Sequence, residues 1–325
     1  MDLAHLNQVQ QHAVTSTEGP YMIIAGAGSG KTSVLTHRVA YLLKANNIDP
    51  FNILALTFTN KAANEMRQRI EKLAGPEAKN LWLGTFHSIF VRILRREADR
   101  IGYPNNFTIY DTDDSKSLLR SIIKEMNLDD KVYKPNVVLS RISGAKNRLI
   151  SPQTYANSTV YQADDERARK PRLSEIFLKY AERCFKAGAM DFDDLLFNTH
   201  ALFVQHPQIL AKYQERFRYI LIDEFQDTNM AQYTIVRSLA MLHKNICVVG
   251  DDAQSISACR GADIQNILNL EKDYAELNII KLEQNYRSTQ NIVHAANSII
   301  SHNQAQLPKK VWTENNAGEA LSVIR

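Results

Sequence analysis

Cysteine is scarce here: three in 325 residues, Cys184, Cys247 and Cys259, scattered and without a C-x-x-C pair. That excludes a disulfide framework, argues against a structural zinc cluster, and suits a reducing compartment. Long apolar runs are missing as well. The longest, such as Tyr21 to Ala25, are strand-sized and far short of the roughly 20 residues that span a bilayer, so no membrane partner is expected. The first residues, Met1 to Gln8, lack the basic and apolar regions of a secretion signal, and a cytoplasmic location is the expectation. A dominant charge of one sign is also absent. The 39 Lys and Arg stand against 35 Asp and Glu, a formal +4, which permits a nucleic-acid partner without requiring one. No internal repeat or low-complexity stretch interrupts the chain. With 44% hydrophobic and 23% charged residues it is neither disordered nor fibrous, and its length suggests about two domains.

What is there is an alternation of short apolar runs with helical patterns. Tyr21 to Ala25, Ile53 to Phe58, Tyr219 to Ile222 and Asn245 to Val249 are continuously apolar and end in polar residues or glycine. Such runs predict parallel strands covered by helices on both faces, an α/β fold whose ligands sit at the carboxyl ends of the strands. Between about residues 109 and 189 these runs vanish. Asp111-Thr112-Asp113-Asp114 leads into Leu118, Leu119, Ile122, Ile123 and Met126 at helical spacing. The aspartates read as a helix cap rather than a calcium loop, because no glycine follows at the sixth position. The segment is expected to be an inserted helical domain. A further run, Ile279-Ile280-Lys281-Leu282, opens a last stretch too short to be a domain by itself.

The strongest chemical signal is Ala25-Gly26-Ala27-Gly28-Ser29-Gly30-Lys31-Thr32, placed between an apolar run and a helical pattern beginning at Ser33. Glycines let backbone N–H groups approach phosphates, and the following helix N-terminus favours negative charge. Lys31 would reach the β and γ phosphates of ATP, and Thr32 would ligate Mg²⁺. The strict pattern has glycine where Ala25 stands. Run Tyr219 to Ile222 ends in Asp223-Glu224, with Asp223 suited to hold Mg²⁺ through its water shell and Glu224 to deprotonate an attacking water. After Asn245 to Val249 comes Gly250-Asp251-Asp252-Ala253-Gln254, whose amide could sense a γ-phosphate. Gln284-Asn285-Tyr286-Arg287-Ser288-Thr289 supplies a ring able to stack on a base and, in Arg287, a guanidinium able to stabilise transition-state charge.

In this order the pieces resemble the superfamily 1 DNA helicases of the UvrD/Rep/PcrA type, over essentially the whole chain. Leu6-Asn7 with Gln10 and Ala13-Val14 resembles the Q motif that reads adenine, and the phosphate loop has the family's own form. Thr57-Phe58-Thr59-Asn60-Lys61-Ala62-Ala63 with Glu65-Met66 is similar to motif Ia, and Gly84-Thr85-Phe86-His87-Ser88 to motif Ib. Asp191-Phe192-Asp193-Asp194-Leu195-Leu196 resembles a further family signature, Asp223-Glu224-Phe225-Gln226-Asp227 motif II, Gly250 to Ala262 motif III, and Gln284 to Ser288 motif IV.

The resemblance implies a RecA-like P-loop NTPase domain 1A over residues 1–108 and 190–278, a helical domain 1B over 109–189, and the start of a domain 2A over 279–325. It implies translocation on single-stranded DNA from 3′ to 5′, driven by ATP hydrolysis, with unwinding at duplex junctions. Gln10 and Tyr286 would hold adenine, and Gln254 and Arg287 the γ-phosphate. Phe58, Thr59, Asn60, Phe86, His87, Phe192 and Arg260 become candidates for the DNA track, which needs aromatic platforms and cations. The alternative for Phe58 and Phe192 is core packing, with the resemblance favouring the DNA role for Phe58, and His87 by itself reads as a structural histidine. Lys146, Arg148, Arg167, Arg169 and Lys170 read as a solvated basic face. Two departures stand out. Ser257 and Cys259 occupy motif III positions that are usually aromatic, which predicts a weaker grip on DNA, and motifs V and VI are not in the sequence, which predicts slow hydrolysis. A nucleotide-binding DNA module without motor activity, the motor part of a helicase-nuclease, and an RNA substrate are the alternatives.

Overall fold

The computed structural model describes residues 1–251, 253, 265–302 and 309–322. In chain order the elements begin with α1 (Gln8–Thr15), β1 (Tyr21–Ala25), α2 (Lys31–Lys44), β2 (Ile53–Thr57), α3 (Asn60–Ala74), β3 (Trp82–Thr85) and α4 (Phe86–Glu97). There follow β4 (Thr108–Tyr110), α5 (Thr112–Glu125), α6 (Pro135–Asn147), α7 (Pro152–Asn157), α8 (Thr159–Arg167), α9 (Leu173–Lys186), β5 (Ala189–Asp191), α10 (Phe192–Gln205) and α11 (Pro207–Arg216). The chain continues with β6 (Tyr219–Ile222), α12 (Met230–Ala240), β7 (Ile246–Gly250), α13 (Gln265–Asp273), β8 (Asn278–Leu282) and α14 (Gln290–Ile300). These elements form two compact units, one of Met1–Phe86, Tyr213–Thr228 and Leu239–Arg325, the other of His87–Lys212 and Asn229–Ser238.

The first unit is built on a six-stranded sheet in the order β3-β2-β6-β7-β1-β8, parallel throughout. Every residue of β2, β6 and β7 is buried, as parallel strands with both faces covered must be. The edge strand β8 instead alternates, with Ile280 and Leu282 buried and Asn278, Ile279 and Lys281 exposed. Val34, Leu35, Val39 and Leu42 of α2 and Met66 and Ile70 of α3 pack on Ile23, Ala55 and Val249 of the sheet in one apolar core. This is the parallel α/β arrangement expected from the runs, and it agrees with the RecA-like fold that the resemblance implies. Strand β3 was not signalled by a run of its own, because Trp82-Leu83 is followed at once by Gly84.

The second unit is helical, with one parallel pairing of three residues between β4 and β5. Its core joins Leu119, Ile122 and Ile123 of α5 to Val138 and Ile142 of α6 and to Ile176, Phe177 and Tyr180 of α9. Asp111 caps α5, accepting from the backbone N–H groups of Asp113 and Asp114 while the Asp114 carboxylate accepts from Asp111 N–H. The aspartate run is therefore a capping box. A second box, Asp191 with Asp194, starts α10.

The basic-face reading is corrected for Lys146. Its side chain is 3% exposed and its Nζ lies 2.7 Å from Asp191 and 2.8 Å from Asp194, whereas Arg148, Arg167 and Arg169 are exposed and Lys170 is half-buried. Burial alone would neutralise the lysine, but the two carboxylates outweigh it and drive its ammonium well above its ordinary range. For Asp191, burial pushes the carboxyl up and Lys146 more than reverses this. Asp194, buried and facing the charge of Asp191, is pushed up to about 7.

Candidate functional site

Strand β1 delivers the chain into the loop from Gly26 to Gly30, and α2 begins at Lys31. Gly30 caps that helix in the left-handed region, φ 86°, and Gly28 also has positive φ, 74°. The loop is pinned from inside: Ser29 N–H and its hydroxyl both donate to the Gly26 carbonyl, at 3.2 and 2.7 Å. Gln10 is buried under it, donating from Nε2 to the Ser29 carbonyl at 3.1 Å while its Oε1 accepts from Asn7 N–H. Gln10 thus supports the loop directly.

Strand β6 brings the two carboxylates to the same end of the sheet. Lys31 Nζ lies 3.4 Å from Glu224 Oε2. Asp223 is buried, its backbone N–H donates to the Leu56 carbonyl, and the Thr32 hydroxyl lies near enough to its carboxyl to favour the ionised form. Burial first, then the adjacent Glu224 charge, push the Asp223 carboxyl up to about 6, against the pull of Lys31 and Thr32. A buried carboxylate short of positive charge beside a hydroxyl is an oxygen donor set that fits a hard divalent cation. Among the described residues no three His, Cys, Asp or Glu side chains cluster as a self-contained metal site, as expected where phosphates and water complete the shell.

The segment 284–288 lies directly on the phosphate loop. Asn285 Nδ2 donates to the Ala27 carbonyl at 2.6 Å, and Tyr286 N–H donates to the Gly28 carbonyl at 3.0 Å. Asn285 Oδ1 accepts from the N–H groups of Arg287 and Ser288, which bends the chain there. Tyr286 is 48% exposed and its hydroxyl accepts from Asn7 Nδ2 at 2.8 Å, so the ring is held by its polar end with a face to solvent. Arg287 is exposed. Asn7 and Asn285 were not singled out from the sequence as site residues, although both lie in quoted motifs; only their contacts across 279 and 258 residues mark them. Gln254 and Arg260, with Ser257 and Cys259, lie outside the described residues.

The DNA-track candidates separate by exposure. In the first unit Phe58 is half-buried at the end of β2, and its ring meets that of Phe86 at 5.3 Å. Phe86 is only 2% exposed. It packs behind Phe58, leaving Phe58 as the more accessible ring of the pair. Thr59 caps α3, its Oγ1 accepting from Ala62 N–H, and Asn60 is exposed. In the second unit Phe192 is 50% exposed and His87 meets it edge-on at 6.0 Å. Burial lowers the His87 pKa, against the opposing charge of Asp193. No described helix is long and apolar enough to cross a membrane.

A parallel sheet ending in a phosphate loop, with an Asp-Glu pair at the end of β6, defines a P-loop nucleotide-binding protein of the RecA-like class. Within it, the chain belongs to the UvrD/REP helicase family: the family model for the UvrD/REP helicase N-terminal domain matches residues 6–275, and that for the UvrD-like helicase C-terminal domain matches residues 280–325. It is 50% identical over 323 residues to a protein named ATP-dependent DNA helicase PcrA from Bacillus subtilis (strain 168), covering 99% of this chain and 43% of that relative. The PcrA helicases of Staphylococcus aureus (strain Mu50 / ATCC 700699) and of Staphylococcus epidermidis are likewise 50% identical, over 320 and 317 residues, each covering 98% of this chain and 43% of the relative. The chain therefore spans less than half the length of these relatives.

Proposed function

We propose that this chain is the ATP-binding portion of a cytoplasmic 3′ to 5′ DNA helicase that translocates on single-stranded DNA and unwinds duplex junctions. In this reading residues 1–108 and 190–278 act as the ATP-binding domain, 109–189 as its helical insert, and 279–325 as the start of a second motor domain. The observation that carries it is the meeting of Lys31 with Glu224 at 3.4 Å beside buried Asp223. The PcrA names of the relatives supply the substrate class, ATP and DNA.

The loop N–H groups and Lys31 would bind the β and γ phosphates, and the exposed Tyr286 ring would stack on adenine. Thr32 and Asp223 would hold Mg²⁺, which when bound neutralises phosphate charge. Glu224 accepts a proton from water as the water oxygen bonds to the γ-phosphorus and the bond to the ADP oxygen breaks, leaving ADP and phosphate. Exposed Arg287 would meet the charge that develops on the γ-phosphoryl oxygens. Phe58 and Phe192 supply ring faces for unpaired bases, each stacked base worth roughly 1–3 kcal/mol.

Steady-state ATP hydrolysis with and without oligothymidine, beside a Lys31→Ala control, tests the reading. Turnover that rises with DNA and vanishes in the control is the expected result. Background turnover in both, despite bound ATP, would reduce the chain to a nucleotide-binding module.

A further inference from the structure

The amide of Gln226 is buried, 2% exposed, and both of its ends are engaged at the candidate site. Its Nε2 donates to Glu224 Oε2 at 2.8 Å, and its Oε1 accepts from the backbone N–H of Asp251 at 3.0 Å. Asp251 immediately follows Gly250, the last residue of β7. A Cβ at Gly250 would lie 2.7 Å from Gln226 Oε1, so the strand has to end in glycine for this amide to reach. Glu224 itself stands in the left-handed region, φ 49° and ψ 45°, where a non-glycine residue persists only if its surroundings hold it. Its N–H donates to Asp223 Oδ1 and its carbonyl accepts from Asp227 N–H, but these bonds fix only the backbone.

We propose that Gln226 is the positioning residue of Glu224, tying the carboxylate of the general base to the end of β7 through one buried amide. The inference rests on the reading of Glu224 as that base. Lys31 shares the same oxygen, Glu224 Oε2. Once a triphosphate occupies the loop its charges draw Lys31 away, and Gln226 is then the partner that keeps Oε2 in place. A neutral amide suits this task, since it orients the carboxylate without compensating its charge and leaves Oε1 to take the proton of water. Gln226 touches no reacting atom. It acts through Glu224, and it links the orientation of the base to the strand end that leads on to residue 254.

The test is single-turnover hydrolysis together with fluorescent-ATP binding in the parent, Gln226→Met, Glu224→Gln and the double variant. Gln226→Met is expected to slow hydrolysis about tenfold to a hundredfold, the scale of a misplaced catalytic group, with ATP affinity changed by less than about twofold, because Lys31 and the loop bind the nucleotide. In the Glu224→Gln background the same substitution is expected to change the rate by less than about twofold, since residues acting as one unit are not additive. Gln226→Glu keeps the shape and the acceptor for Asp251 N–H and, once its carboxyl is ionised, replaces the donor with a charge that repels Glu224. It is expected to lose as much rate as the Met variant, and it carries the test if the Met variant folds poorly. Parental hydrolysis in Gln226→Glu at alkaline pH, where its carboxyl is ionised, or losses that multiply in the double variant, would overturn the proposal. A parent that shows no hydrolysis sensitive to Lys31→Ala fails the reading of the site itself and takes the proposal with it.

Discussion

Lys146, Asp191 and Asp194 put three ionisable groups in the interior of the second unit with one cation between two carboxylates. The Tyr180 hydroxyl donates to Asp191 at 2.8 Å and so shares the anionic load. Removing the cation as Lys146→Met leaves two buried carboxylates unpaired, which costs about 3–5 kcal/mol. The cost depends on pH, and its sign follows from Asp194. The folded pKa of about 7 lies above the ordinary 3.8, so the folded state holds this proton more tightly, and stability contributed by the group falls as pH rises between those values. Urea unfolding followed by circular dichroism should therefore show the Lys146→Met penalty in full at pH 8 and reduced at pH 5. The parent should lose stability over the same interval unless Asp194 is replaced by Asn. At this scale the sequence named Lys31, Asp223 and Glu224 from local pattern alone. It misjudged Lys146, because its partners lie more than 40 residues away and nothing adjacent marks the side chain as buried.

At the scale of elements, the phosphate loop depends on a close approach between two segments distant in the chain. A methyl group at Gly28 would lie 2.7 Å from Arg287 Cβ and 2.9 Å from Asn285 Nδ2, at a φ that L residues rarely adopt. Gly28→Ala therefore pushes residues 284–288 off the loop. Titration calorimetry should show ATP affinity falling roughly tenfold or more, a loss of at least about 1.4 kcal/mol, while the melting of the second unit is unchanged. Elements were legible where pattern is strong. The buried strands β1, β2, β6 and β7 and the amphipathic α5 follow from their runs and periods. Strands β3, β4 and β5 were not, since Gly84 cuts the apolar run of β3 short and the three residues of β4 or β5 carry neither run nor period. The start of α10 became readable as a capping box only with Asp191 and Asp194 seen reciprocating bonds.

For the whole molecule, the two units each have an apolar core: one joins the sheet to α2 and α3, and the other joins α5, α6 and α9. The loop, Asp223, Glu224 and residues 284–288 all belong to the first. Calorimetry is expected to resolve two transitions. ATP at about a hundredfold excess over its Kd should stabilise the transition of the first unit by about 2.7 kcal/mol and leave the other in place. Equal shifts in both would show that the units unfold together.

By itself the sequence determined the class of fold, the nucleotide chemistry and the order of the motifs. Each of these is written in contiguous stretches: strand-length apolar runs, a glycine loop ending in Lys-Thr, paired carboxylates at a strand end. Tertiary structure alone decided which polar side chains became partners. Gln226 meets Asp251, Asn285 meets Ala27, Asn7 meets Tyr286, and Lys146 meets Asp191, over separations of 25 to 279 residues. A hydrogen bond or ion pair is fixed by distance in space, and chain positions so far apart are brought within 3 Å only by strand order and helix packing.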